Sequence, residues 1–288
     1  MPVIPFHKTR LAPTPSGFLH LGNVLSFAIT AALSKKHGAK ILLRVDDLDQ
    51  ARVNKPYLRD IFDTLNFLEI NWDEGPRDVK DFEENYSQLH RMGLYQEAMQ
   101  QLADGGRVFA CTCSRSQLSA NPCACLEKKV PLDTENASWR FITRAYKELA
   151  VKGYDARIVR SLLPAEMQNF VVKKKDGFPA YQLTSVIDDL FYGVDLVVRG
   201  EDLWPSTLAQ QELALALGKT AFADITFYHH PLFKDNSGQK LSKSAGAMSV
   251  KYLREKGLTP KEIYVQIAAL TGIKENIGNW QQLGDKRG

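Results

Sequence analysis

The chain's four cysteines, Cys111, Cys113, Cys123 and Cys125, all fall in one short segment. They form two Cys-x-Cys pairs with nine residues between them. Thiolates are soft ligands, and four of them suit tetrahedral zinc. A secreted disulfide framework would spread its cysteines along the chain, whereas clustering points to a metal. The spacing is a variant, since the usual knuckle is Cys-x-x-Cys. Zn²⁺ here is expected to be structural, pinning a segment with little core of its own. Two alternatives stay open: only three cysteines bind, or the thiols are reduced and hold no metal.

A second constellation opens the chain. Pro15-Ser16-Gly17-Phe18-Leu19-His20-Leu21-Gly22-Asn23 contains a turn that places His20 and Asn23 at the mouth of a helix. Free backbone N–H groups and the helix dipole there attract phosphate. The side chains of His20 and Asn23 add donors for a transition-state phosphate oxygen, and Gly22 leaves room for an adenine ring. The bland counterpart is a strand-to-helix turn capped by the histidine. A third constellation is Lys240-Leu241-Ser242-Lys243-Ser244. Two lysines three residues apart on a Gly-Ser loop make a cationic clamp for the triphosphate of ATP, where charge develops as pyrophosphate leaves. Its bland counterpart is an exposed basic loop. The run Lys173-Lys174-Lys175 reads as a solvated turn.

These groups need a scaffold, and the pattern supplies one. His7 to Leu11 reads as a short strand that enters a Pro- and Gly-rich loop. The Ala-rich apolar run to His37, stopped by Gly38, reads as a helix. Lys40 to Val45 reads as a strand, followed by Asp46-Asp47-Leu48-Asp49. Helical patterning covers Tyr57 to Leu68 and Tyr86 to Ala103. A buried strand at Val194 to Val198 ends in Arg199-Gly200-Glu201-Asp202, and a helix follows from Ser206 to Leu217. Thr259-Pro260-Lys261-Glu262 carries the cap, first-turn proline and third-position glutamate of a helix start. Strand, loop, helix, strand is the opening of a nucleotide-binding α/β sheet. The expected fold is therefore α/β: a doubly wound, Rossmann-like parallel sheet split by an α+β insertion that carries the cysteines, with a short helical C-terminal tail.

The chain has 288 residues, 44% of them hydrophobic and 24% charged, as in an ordinary globular protein. Its net charge of +4 permits a nucleic-acid partner without demanding one. No signal peptide is visible, and no stretch approaches the ~20 apolar residues of a membrane helix. A cytoplasmic protein with no membrane partner is the expectation.

Six motifs taken in order resemble one family. Arg10-Leu11-Ala12-Pro13-Thr14-Pro15-Ser16-Gly17, His20-Leu21-Gly22-Asn23, Arg44-Val45-Asp46-Asp47-Leu48-Asp49, Ala180-Tyr181-Gln182-Leu183, Val198-Arg199-Gly200-Glu201-Asp202 and Lys240-Leu241-Ser242-Lys243-Ser244 run as in the glutamyl branch of the class I aminoacyl-tRNA synthetases. The resemblance spans about Arg10 to Ser244 and implies ATP-dependent activation of L-glutamate, with Mg²⁺ accompanying ATP. It implies that Arg10 and Arg199 bind the two carboxylates of glutamate, which suits the bidentate fork of arginine. It further implies that Thr14 and Tyr181 line that pocket, and that Asp46 receives the α-ammonium. ATP falls to Gly22, Ser242 and Lys243, and catalysis to His20, Asn23, Lys240 and Lys243. Two departures stand out: Asp46 is one methylene shorter than the family's glutamate, and Asn23 replaces a histidine that could carry charge.

Within the branch the chain is most similar to short paralogues that attach glutamate to queuosine at the wobble position of tRNA(Asp). Three features carry this: the chain ends soon after the lysine loop, the second motif histidine is replaced, and a Cys-x-Cys pair sits in the insertion. The paralogues hold zinc with Cys-x-Cys, a tyrosine and one later cysteine, and no tyrosine lies between Cys113 and Cys125. The expected organisation is a first catalytic half over 1–105, the insertion over 106–175, a second half with the lysine loop over 176–245, and a tail over 246–288 with no anticodon-binding domain. A monomer is expected. Charging of a tRNA 3′ end by a truncated glutamyl-type enzyme, and a non-catalytic RNA-binding relic, remain as alternatives.

Overall fold

The computed structural model describes residues 6–120, 123–144, 148–233, 249–273 and 277–285. The elements, in chain order, are β1 (Lys8–Leu11), α1 (Leu21–His37), β2 (Lys40–Leu43), α2 (Lys55–Phe67), α3 (Met92–Asp104), β3 (Val108–Cys111), α4 (Arg115–Ala120), β4 (Ser138–Phe141) and β5 (Leu149–Gly153). They continue with β6 (Ile158–Ser161), β7 (Val171–Lys173), α5 (Tyr181–Phe191), β8 (Leu196–Gly200), α6 (Trp204–Ala216), β9 (Thr226–His230), α7 (Val250–Glu255), α8 (Pro260–Leu270) and α9 (Trp280–Asp285). Two compact units result, one of Met1–His90, Val194–Leu203 and Thr226–Gly288, the other of Arg91–Gly193 and Trp204–Ile225.

The first unit is built on parallel strands in the order β2-β1-β8-β9. Parallel strands are covered on both faces and so read as continuous apolar runs. Ile41, Leu42 and Leu43 of β2 and Leu196, Val197 and Val198 of β8 are all buried. α1 is apolar nearly all round, which marks a helix buried on most sides. Val24, Leu25, Ala28, Ile29 and Leu33 are at most 2% exposed. Truncating a leucine such as Leu25 to alanine would cost about 2–5 kcal/mol through lost burial and the cavity left behind. Gly38 ends α1 in the left-handed region at φ 66°, its N–H returning to the carbonyls of Lys35 and Ser34. The expected capping box opens α8: Thr259 and Glu262 each bond the other's backbone. Tyr264 of α8 donates its hydroxyl to the Leu68 carbonyl at 2.8 Å, and the Trp280 indole of α9 donates to the Glu69 carbonyl at 3.0 Å. These two bonds tie the helical tail to the turn after α2.

The second unit holds an antiparallel sheet, β3-β4-β7, and an antiparallel hairpin, β5-β6. A buried ion pair fastens its helices. Arg91 meets Asp188 of α5 through Nε–Oδ1 at 2.9 Å and Nη2–Oδ2 at 3.2 Å, and the Tyr95 hydroxyl donates to Oδ1 at 2.7 Å. Breaking such a pair by removing one partner costs roughly 3–5 kcal/mol, because the other charge stays buried.

The helix expected from Tyr86 to Ala103 starts later, at Met92. Ser87 is extended, at φ −52° and ψ 140°. Its hydroxyl donates to Asp47 Oδ2 at 2.6 Å, and the Gln88 backbone N–H donates to Asp47 Oδ1 at 2.8 Å. The buried Asp47 carboxylate thus takes the donors that would have continued the helix. Among the described residues, no helix is long and apolar enough to cross a membrane.

Candidate active site and metal centre

His20 and Asn23 do form a cap at the mouth of α1. The Gly22 N–H donates to His20 Nδ1 at 3.1 Å, and the His20 N–H donates to the Asn23 side-chain oxygen at 3.1 Å. With Nδ1 accepting, the neutral imidazole carries its proton on Nε2, which leaves that nitrogen as the donor. The space at Gly22 is taken by this same ring: a Cβ there would lie 3.0 Å from His20 Cε1. The capping role and a donor role for His20 are therefore compatible.

Lys240, Ser242 and Lys243 lie outside the described residues, but both flanks of their segment are placed. Phe233, just before it, reaches 3.9 Å from the Cβ position of Gly22. Just after it, Ser249 bridges to His20, and the Val250 N–H donates to the Leu19 carbonyl at 2.8 Å. The chain that carries the two lysines thus leaves from and returns to the His20–Gly22 turn. His230 adds a further tie: its Nε2 lies 2.6 Å from the Ser26 hydroxyl on α1 and its Nδ1 3.0 Å from the Pro231 carbonyl.

Arg10 and Arg199 are brought to one face of the parallel sheet. Thr9 is the register partner of Leu196, so Arg10 shares the side of Val197 and hence of Arg199. Both side chains are buried, at 7% and 4% exposure. Arg10 Nη1 donates to the Val198 carbonyl at 3.3 Å, and the Arg199 guanidinium lies 5.1 Å from the Phe227 ring centroid. The next strand adds His229, the register partner of Arg199. Burial, with the charges of Arg199 and His230, pushes His229 down to about 3, so it is neutral beside the arginines. At Gly200, after Arg199, a Cβ would lie 2.7 Å from Asp202 Oδ1 and 2.8 Å from a Leu232 methyl, so both side-chain ends would have to shift.

Asp46 is already engaged. Arg44 donates through Nε to Oδ1 at 2.7 Å and through Nη2 to Oδ2 at 3.0 Å. An ammonium arriving at Asp46 would meet a carboxylate whose charge is largely compensated. Thr14 is exposed on the loop, and its carbonyl accepts from the Ser16 N–H at 2.9 Å. Tyr181 belongs to the second unit, where it opens α5 and is 43% exposed. One turn on, Ser185 has a buried hydroxyl with no partner among the described residues. Sequence reasoning passed over Arg44, His229 and Ser185. Only Arg44 left a local signal, its Arg-x-Asp spacing on an extended segment, where alternate residues share a side.

The cysteines converge in the second unit. Sγ of Cys111 lies 3.5 Å from that of Cys123, and Cys113 lies 4.0 Å from Cys123 and 3.6 Å from Cys125. All four sulfurs fall within 4.8 Å of one another. Zinc–sulfur bonds of about 2.3 Å in a tetrahedron require sulfurs about 3.8 Å apart, so the donor set fits that ion. Burial drives the Cys123 thiol up to about 12. Cys125 is also raised by burial, yet the Thr112 N–H and the neighbouring thiols bring it down to about 7. The lysine run is not a turn throughout: Lys173 ends β7 and the turn begins at Lys175, with each side chain engaged beside this site. Lys173 lies 4.3 Å from the Trp139 ring centroid, Lys174 pairs with Asp176 at 2.9 Å, and Lys175 donates to the Thr112 carbonyl at 2.7 Å.

The family described as tRNA synthetases class I (E and Q), catalytic domain, matches residues 7–160 and 135–281. Over 266 residues the chain is 35% identical to a glutamyl-Q tRNA(Asp) synthetase of Synechococcus sp. (strain CC9605), covering 91% of this chain and 82% of that protein. It is 31% identical to a glutamate–tRNA ligase 2 of Syntrophus aciditrophicus (strain SB), covering 91% of this chain but 57% of that one. The chain thus spans little more than half of the ligase and most of the glutamyl-Q enzyme. In fold it is similar to a glutamate tRNA ligase from Elizabethkingia meningosepticum, with TM-score 0.72, 21% identity, and coverage of 96% of this chain and 64% of that one.

Proposed function

We propose, from the premise that the chain belongs to the class I tRNA synthetases (E and Q), that it activates L-glutamate with ATP and passes the glutamyl group to queuosine of tRNA(Asp). An oxygen of the glutamate α-carboxylate attacks the α-phosphorus of ATP, and the bond to pyrophosphate breaks, leaving glutamyl-adenylate. A hydroxyl of the acceptor then attacks the activated carbonyl carbon, and AMP departs with the electron pair. Lys240 and Lys243 meet the charge developing on pyrophosphate, and His20 and Asn23 donate to the α-phosphate oxygens. Mg²⁺, entering with ATP, would supply charge shielding of its phosphates. Arg10 and Arg199 receive the substrate carboxylates, Thr14 borders them, and Asp46 takes the ammonium beside Arg44.

The observation that supports this reading is that both described flanks of the lysine segment, Phe233 before it and Ser249 and Val250 after it, meet the turn from Leu19 to Gly22 at the mouth of α1. The domain reading is that residues 1–105 and 176–245 form the catalytic body around the insertion 106–175. Zinc, held by Cys111, Cys113, Cys123 and Cys125, would supply a covalent-strength crosslink within that insertion and no chemistry. Queuosine is favoured over a tRNA 3′ end because the chain is 35% identical to the glutamyl-Q relative and 31% identical to the ligase.

The test is ATP–pyrophosphate exchange with glutamate, glutamine or aspartate, followed by transfer of labelled glutamate to tRNA with and without queuosine. Glutamate alone should support exchange, because glutamine would leave a buried guanidinium unpaired, a penalty of about 2 kcal/mol or at least tenfold. Equal exchange with glutamine would sink the substrate assignment. Labelling of queuosine-free tRNA that disappears after periodate treatment would move the acceptor to the 3′ end.

A further inference from the structure

A cleft of about 280 Å³ lies in the first unit between α2 and α7, and neither Arg10 nor Arg199 lines it. Its lining is Lys55, Pro56, Arg59, Asp60 and Asp63 of α2, with Lys251 and Arg254 of α7. Asp60 is only 3% exposed and is met by Arg254 Nη2 and the Thr64 hydroxyl, each at 3.3 Å. That pair cancels. Lys55, Arg59 and Lys251 then face Asp63 as the one other carboxylate of the lining, and the Lys251 pair with exposed Glu255 is loose at 3.9 Å, so the cleft is cationic. Lys55 also reaches Glu83 at 3.0 Å, but that pair is largely solvent-exposed and holds it weakly. Arg59 has no partner among the described residues.

Lys55 and Arg59 stand one helical turn apart, with Cβ atoms about 6 Å from each other. Lys251 stands on the opposite wall. A row of cations with a facing cation suits successive phosphates of a strand better than one compact ion. The fork of Arg59 matches phosphate oxygens. Pro56 is the only apolar lining residue and none is aromatic, so the cleft offers no platform for stacking a base. Contacts confined to phosphates position a nucleic acid without reading its sequence. The cleft also adjoins the signature turn: Lys251 lies 4.5 Å from the Phe18 ring centroid, and Phe18 packs edge-on against Tyr57 at 4.7 Å.

We infer that the α2–α7 cleft is a sequence-independent clamp for backbone phosphates of the RNA substrate. This rests on the reading that the chain acts on tRNA. Binding of a fluorescein-labelled tRNA(Asp) transcript to the full chain, followed by anisotropy across a salt series, tests it. Arg59→Gln and Lys55→Gln should each weaken binding about three- to tenfold at low salt and make the salt dependence shallower by about 0.7–1 per charge. Asp63→Asn should tighten binding about twofold. Lys80→Gln removes the same charge from an exposed site outside the cleft and should leave the slope unchanged; thermal melts confirm that each variant is folded. Equal slopes for Arg59→Gln and Lys80→Gln would reduce the effect to net charge and overturn the clamp. So would saturable calorimetric binding of inorganic phosphate that Arg59→Gln abolishes while RNA affinity stays unchanged, which would make the occupant a free phosphate compound. Because anisotropy reads binding alone, wild-type protein that binds RNA through the cleft yet shows no glutamate-dependent exchange would sink the proposed activity and leave the clamp standing.

Discussion

Arg44 and Asp46, alternate residues just after β2, grip each other through two hydrogen bonds, with the Arg44 side chain 2% exposed and that of Asp46 12% exposed. The pair sets both the charge and the orientation of the carboxylate proposed to receive the substrate ammonium. Asp46→Asn should therefore destabilise the protein by about 3 kcal/mol, since the buried guanidinium loses its counter-charge. Asp49→Asn, which removes the exposed partner of Arg52, should cost under about 1 kcal/mol. Urea unfolding compares the two. Equal, small losses would show that Arg44 is compensated elsewhere and that Asp46 is held for another reason.

What could be read from the residues in advance followed from local signals. Gly38 after an apolar run marked the end of α1, and Thr259, Pro260 and Glu262 marked the start of α8, because caps are written within a few residues. The start of α3 was not readable, since its cause is Asp47, some forty positions upstream, capturing Ser87 and Gln88. The same holds for His229: its neighbour Arg199 stands on the adjacent strand, and no spacing in the chain announces that register. The cysteine cluster was readable because its four thiols are gathered in sequence as well as in space. The mutual capping of His20 and Asn23 showed that the bland and the functional readings of one motif are not exclusive.

His229 gives a prediction in pH. Its pKa falls from an ordinary 6.5 to about 3 on folding, through burial first and then the charges of Arg199 and His230. Between those values the unfolded chain binds a proton that the folded chain refuses. Stability is thus full above about pH 6.5 and is lost as pH falls toward 3, at up to about 1.4 kcal/mol per unit. His229→Asn should flatten this acid limb relative to wild type in urea titrations at stepped pH. An unchanged slope would mean that the imidazole is reached by water and titrates normally.

Lys243→Ala should slow ATP–pyrophosphate exchange about a hundredfold or more while leaving the glutamate KM nearly unchanged. A lysine that meets charge only as pyrophosphate departs acts on the transition state and not on ground-state binding. The described flanks of its segment meet the turn from Leu19 to Gly22 through contacts that do not involve Lys243. If the glutamate KM rose instead at constant turnover, the lysine would belong to the amino-acid pocket.

The cysteine centre separates folding of the insertion from chemistry. Purified protein should carry close to one zinc per chain, because three sulfur pairs at 3.5, 3.6 and 4.0 Å match the edges of a zinc tetrahedron and all four sulfurs lie within 4.8 Å. Cys123→Ser should lower zinc retention, since serine is not deprotonated near neutral pH and cannot replace a thiolate. The loss should also loosen the segment from Cys111 to Trp139, where Ser138 donates to the Cys111 carbonyl at 3.1 Å and the Trp139 indole donates to the Leu132 carbonyl at 2.8 Å. Glutamate-dependent exchange should survive, because Arg10, Arg199 and the His20 turn stand on the parallel sheet of the other unit. Transfer to tRNA should fall further than exchange if the insertion supports the nucleic acid. Emission spectroscopy for metal, run beside hydrogen exchange and both activity assays, reads each part. Metal-free wild-type protein with full transfer would remove zinc from the account, and equal loss of exchange and transfer in the variant would make the site a support for the whole fold.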